Sequence, residues 1–137
     1  MLKRTILTFL NLALGIGLAV ASNPLQDGSF SAESDGSIIT IRWVSEDESG
    51  VTSYELERKA GLYGQFFLLA QVATKGNNST YEYVDDSALR VTAESVYQYR
   101  LKILLSDGTS IYSPEITVIH AVSSVRRTWG SIKAMFR

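Results

Sequence analysis

Apolar and polar positions alternate strictly through residues 97–105. Tyr97, Tyr99, Leu101, Ile103 and Leu105 share one face, and Gln98, Arg100 and Lys102 share the other. A period of two sends successive side chains to opposite sides of a strand, so this run is predicted as a central strand with its odd positions buried. Its aromatic and β-branched content suits a packed pleated surface. Ser106-Asp107-Gly108-Thr109 follows, and Asp-Gly is a strong hairpin turn, so another strand should return at once.

The same period recurs along the chain. In residues 37–44, Ile39, Ile41 and Trp43 alternate with Thr40 and Arg42, which turns Trp43 toward the core. In residues 54–59, Tyr54 and Leu56 point inward and Glu55 and Glu57 outward. Residues 66–72 read FFLLAQV, an unbroken apolar run whose facing is ambiguous; Phe66 or Phe67, Leu69 and Val72 are the expected contacts. Residues 80–84 put Tyr81 and Tyr83 on one face, and after the Asp-Gly turn Tyr112, Ile116 and Val118 share another. Pro114 has no N–H for a ladder, so this last strand is predicted to be an edge or to carry a bulge. A weak edge strand is expected at residues 29–32. About seven short strands separated by turns, with no helical period between them, predict an all-β fold, an antiparallel β-sandwich.

Composition bears on what holds such a fold together. The chain has 137 residues, 45% hydrophobic and without cysteine, so one domain must be stabilised by its core and not by disulfides or a thiolate zinc site. Charge is divided unevenly. Residues 22–120 hold seven Lys/Arg and all 14 Asp/Glu, a net charge of −7, whereas residues 121–137 hold four basic residues and no acid. An acidic body with a basic tail argues against nucleic acid as a partner. At the other end, Lys3 and Arg4 precede an apolar stretch that closes on Ala19-Val20-Ala21. Residues 1–21 thus have the three-part form of a secretory signal peptide cleaved before Ser22. The competing reading is an uncleaved anchor, for which the run is slightly short and holds two glycines and an Asn. The expected location is secreted or cell-surface, the periplasm included.

Trp43, the run Tyr54-Glu55-Leu56-Glu57-Arg58, and Phe66, Leu69, Ala70 and Val72 fall in an order familiar from one family. So do Tyr81, Tyr83 and Asp85, then Leu89 followed by Tyr97, Tyr99, Arg100 and Leu101, then Asp107-Gly108 and Tyr112-Ser113-Pro114. Over residues 27–120 the chain resembles a fibronectin type III domain of secreted bacterial proteins. The resemblance implies an immunoglobulin-like sandwich with Trp43, Tyr54, Leu56, Tyr97, Tyr99 and Leu101 in its core. It also implies that Tyr97 is a tyrosine corner whose hydroxyl bonds backbone near Leu89. There is no Arg-Gly-Asp triplet, so integrin-type adhesion is not implied.

Candidate chemistry is sparse. His120 is the only histidine and is expected at the surface, where the last strand meets the tail. Glu46-Asp47-Glu48 and Asp85-Asp86 could attract a cation but lack the alternating spacing of a calcium loop, and are read as solvated loops. Asn77-Asn78-Ser79-Thr80 contains two overlapping glycosylation acceptors, meaningful only in a host that glycosylates, and otherwise a polar turn. No catalytic site, cofactor or metal is expected. In the tail, residues 121–137, Val122, Val125, Trp129, Ile132 and Phe136 fall within roughly an 80° arc of a helix, with Arg126, Lys133 and Arg137 on one flank. Such a basic amphipathic helix would pack on its own domain, dock on a protein partner or a membrane surface, or serve as an export or anchoring signal. Its candidate partner-binding residues are Val125, Arg126, Arg127, Trp129, Ile132, Lys133, Phe136 and Arg137. The expectation is a non-catalytic module for protein–protein interaction or adhesion in an envelope or extracellular assembly. The alternative is an accessory module for extracellular polysaccharide, for which Tyr63, Phe67 and Trp129 would have to converge on one face.

Overall fold

A computed structural model describes residues 23–87 and 95–121. Eight strands account for most of them: β1 (Ser31–Ser34), β2 (Ile39–Val44), β3 (Val51–Ala60), β4 (Phe67–Ala73), β5 (Thr80–Asp85), β6 (Ser95–Leu105), β7 (Ser110–Tyr112) and β8 (Ile116–His120). There is no α-helix among the described residues. The strands form two antiparallel sheets, a small one ordered β1-β2-β5 and a large one ordered β4-β3-β6-β7, with β8 also on β6. Each expected strand has an observed counterpart, but the bounds differ: β1 lies two residues later than expected, β3 begins three residues earlier, and β6 begins two residues before the alternating run.

The inward positions of both sheets form one core: Ile39, Ile41 and Trp43 from β2, Tyr54 and Leu56 from β3, Tyr81 from β5, and Tyr97, Tyr99, Leu101 and Ile103 from β6. Cross-strand register explains this, since Trp43 lies opposite Tyr81 and Leu56 opposite Leu101, each pair sharing a face. Trp43 stacks on Tyr81 with ring centroids 5.0 Å apart and meets Tyr54 edge-on at 5.8 Å. Burying each such side chain contributes about 1.5–3 kcal/mol.

Pro114 divides the last strand in two, which is why eight strands are present where about seven were expected. β7 pairs with residues 102–104 of β6 and β8 with residues 95–99. In the gap, Ser113 substitutes for a ladder residue. Its N–H donates to the Leu101 carbonyl at 2.9 Å, and its Oγ accepts from the Leu101 N–H at 2.8 Å. At the β6–β7 turn Gly108 has φ +86°, a conformation that a side chain would strain.

His120 is not a surface residue. It is buried at the end of β8, where its Nδ1 lies 2.6 Å from Ser34 Oγ of β1 and its ring meets Tyr97 edge-on. This contact ties the first edge strand to the last and closes that side of the sandwich. The expected partner of Tyr97 near Leu89 lies outside the described residues.

Candidate interaction surface

Two carboxylates read as solvated from the sequence are buried. Glu48 leaves the β2–β3 loop and enters the core end of the sandwich, where its Oε1 accepts from Tyr54 at 2.7 Å and from Tyr81, and its Oε2 from the Gly76 N–H at 2.8 Å. The loop holds its own backbone too, since the Glu48 N–H donates to Asn77 Oδ1 at 2.7 Å. Asp85, at the end of β5, accepts from Arg58 Nη1 and from the Tyr99 hydroxyl, each at 2.7 Å, through Oδ2. Its Oδ1 accepts from Ser87 N–H and Oγ. Both nodes join β5 or its flanking loop to the large sheet.

The electrostatics match these contacts. Burial alone would raise both carboxyl pKa values. For Glu48, donation from Tyr81, Tyr54 and Gly76 outweighs burial, and for Asp85, donation from Ser87, Tyr99 and Arg58 does so, leaving both below the usual carboxylate range. Burial, with a carboxylate as acceptor, pushes the Tyr81 hydroxyl up to about 12 and raises Tyr54 and Tyr99 as well. Asp85 has filled the roughly four lone-pair positions of a carboxylate with protein donors, so it is a fastener between sheets and not an open ligand.

The outward face of the large sheet carries a different arrangement. Arg100 of β6 lies between two rings, 4.0 Å from the Phe66 centroid and 4.2 Å from that of Tyr112, and its Nε donates to Glu57 at 2.7 Å. Lys59 Nζ also lies 4.7 Å from the Phe66 ring centroid. The stripe Lys59–Phe66–Arg100–Tyr112 thus crosses β3, β6 and β7, and the cation–ring contacts join its members.

Beyond this stripe the surface turns apolar. The turn between β3 and β4 exposes Leu62 (55%) and Tyr63 (98%), and β4 exposes Phe67 (73%) and Leu68 (60%). These are four of the eight large apolar side chains left exposed among the described residues, gathered into seven consecutive positions. The turn is tight: a Cβ at Gly64 would come within 2.5 Å of the Ala60 carbonyl, so only glycine fits. Within β4, the register shifts opposite Leu56/Glu57, where Ala70 pairs with Leu56 but Leu68 with Glu57. Leu69 is the extra residue; Phe67, opposite Arg58, and Leu68, opposite Glu57, precede it on the edge strand, and both reach solvent. Phe67 is therefore not a core contact, whereas Leu69 and Val72 pack partly against the core. β4 pairs with β3 alone and forms one edge of the large sheet, with β7 and β8 at the other. Two hollows of about 330 and 380 Å³ flank Ile111 at the opposite end of that sheet.

Of the residues singled out in the sequence, Trp43, Tyr54, Leu56, Tyr97, Tyr99 and Leu101 are buried. Tyr63 is exposed in the β3–β4 turn and Phe67 at the start of the β4 edge strand. Trp129 and the other tail residues, Val125, Arg126, Arg127, Ile132, Lys133, Phe136 and Arg137, lie outside the described residues. The Phe66–Arg100–Tyr112 stack and the exposure of Leu62 and Leu68 were not foreseen. No protein-family model matches the chain, and no curated protein matches it.

Proposed function

We propose that this chain is a non-catalytic β-sandwich module of the fibronectin type III kind, mediating protein–protein contact in an envelope or extracellular assembly. The contact surface is the β3–β4 turn together with the free edge of β4. The family reading is supported by strand order: β4 sits beside β3 in the large sheet, whereas the fourth strand of a constant-type immunoglobulin domain joins the first, second and fifth. Export to the cell surface or beyond rests on the N-terminal pattern of residues 1–21, and the basic tail is a second docking or anchoring element.

One observation carries the binding reading: an uncharged edge strand is flanked by the concentrated exposure of Leu62, Tyr63, Phe67 and Leu68. An edge offers unpaired N–H and C=O groups to an incoming strand, and apolar side chains around it supply affinity. Polysaccharide is the second reading, favoured by the proximity in sequence of two exposed aromatics, Tyr63 and Phe67. Leu62 and Leu68 beside them make a surface better suited to apolar protein side chains than to hydroxyl-rich sugars.

Photo-crosslinking in the producing cell tests this. A photoreactive residue at position 67 is expected to trap a discrete protein, and one at Thr117, exposed on β8, is not. Equal labelling at both positions, or release of the adduct by glycan-degrading enzymes alone, would overturn the proposal.

A further inference from the structure

Resting on that reading, we infer that the partner of β4 is β4 of a second copy of this chain, paired antiparallel across a two-fold axis at or beside Gln71. The two large sheets then continue into one. Comparison with the other edge strands singles out this one: β7 spans only three residues, and β8, likewise without charge or proline, spans five and has its last residue, His120, held against β1 by Ser34. β1 is four residues long, carries the exposed Glu33, and is held against β8 by Ser34 and His120. β5 carries Glu82 and the buried, fully bonded Asp85. β4 spans seven residues with neither charge nor proline.

That difference matters because a two-fold interface sets each residue near the axis against its own copy. A charge there would face a like charge, which is destabilising for directly opposed strand residues. The domain's net charge of −7 over residues 22–120 makes self-contact unfavourable across most of its surface. β4 is the longest edge strand on which a copy meets no such repulsion. Its one polar residue, Gln71, is self-complementary, because an amide both donates and accepts. Residues 70–73 keep a regular register with β3, so their outer backbone groups are presented in ladder geometry. An axis at Gln71 would also set Ala70 of each copy opposite Val72 of the other, small beside branched. The Phe67–Leu68 segments then extend past the paired stretch and cover apolar surface on the second copy.

The chain has no cysteine, so single-cysteine variants report without background. Paired strands hold opposed Cα atoms within the disulfide range of about 4.4–6.8 Å. Under mild oxidation Gln71→Cys is expected to form an intermolecular disulfide rapidly, and Thr117→Cys to remain reduced. By sedimentation velocity at up to about 100 µM, the parent and Gln71→Asn should associate as dimers, while Gln71→Lys should weaken association at least about tenfold. Gln71 is exposed, so an unchanged melting profile at monomer concentrations verifies that Gln71→Lys still folds. A parent that stays monomeric, or equal crosslinking at positions 71 and 117, overturns the inference. If such a monomer still yields a different protein at position 67, only the self-pairing fails. If it yields none, the broader reading fails with it.

Discussion

Tyr54 of the large sheet and Tyr81 of the small sheet donate their hydroxyls to the same atom, Oε1 of Glu48, with their rings 5.3 Å apart. The carboxylate therefore bridges the two layers at one end of the core. Removing it strands two buried hydroxyls and the Gly76 N–H, each at a cost of about 1–3 kcal/mol before relaxation. Glu48→Ala should lower unfolding free energy by about 2–4 kcal/mol, while Glu46→Ala at an exposed neighbour should change it by less than about 0.5 kcal/mol. Urea denaturation measures both, and equal effects would contradict the bridging role.

The pH dependence follows from the same nodes. Glu48 and Asp85 have lowered values in the fold, so their contribution is complete above the ordinary carboxylate range near 4. It is lost as pH falls through the lowered folded values. Tyr81, raised to about 12, acts in the opposite direction: its contribution is complete below the ordinary tyrosine value near 10 and is lost as pH rises through the folded value. Denaturation midpoints should therefore form a plateau at neutral pH with an acid and an alkaline limb. Asp85→Asn should flatten the acid limb, and an acid limb as steep as that of the parent would contradict the assignment.

Trp43 is packed against Tyr81, Tyr54 and Phe30. Trp43→Ala should cost about 3–5 kcal/mol. Its Nε1 has no hydrogen-bond partner among the described residues, so Trp43→Phe should lose packing alone and cost clearly less. Similar losses for the two variants, by chemical denaturation, would show that the indole N–H contributes substantially.

Ser113 supplies both partners of the Leu101 backbone where Pro114 interrupts the ladder. Ser113→Ala leaves the buried Leu101 N–H without an acceptor and should cost about 1–3 kcal/mol. Ser113→Thr retains the hydroxyl and should recover part of that loss. Thermal unfolding showing Ser113→Ala equal to the parent would remove the role assigned to the side chain.

The core was legible in the sequence because period-two alternation in β2, β3 and β6 states directly which residues face inward. Trp43, Leu56 and Leu101 needed no further information. Glu48 was not legible: its tyrosine partners lie 6 and 33 residues away, and an Glu-Asp-Glu run in a turn reads locally as solvated. His120 was misread for the same reason, its partner Ser34 being 86 residues distant. In β4 an unbroken apolar run hides the alternation on which facing is judged: Leu69 and Val72 were identified as contacts, but the exposure of Phe67 and Leu68 was not. Tyr63 and Phe67 were visible as spare aromatics, but their position beside a free edge follows only from the sheet order.

Amide hydrogen exchange over residues 67–73 tests the central claim, that the β4 edge is an occupied interface, most directly. Protein recovered in its assembled state under gentle extraction is compared with the same protein diluted until monomeric. The outward N–H groups of β4 should exchange much more slowly in the assembled state, while those of β8 remain unchanged. Exchange over residues 67–73 that is identical in the two states would contradict the claim.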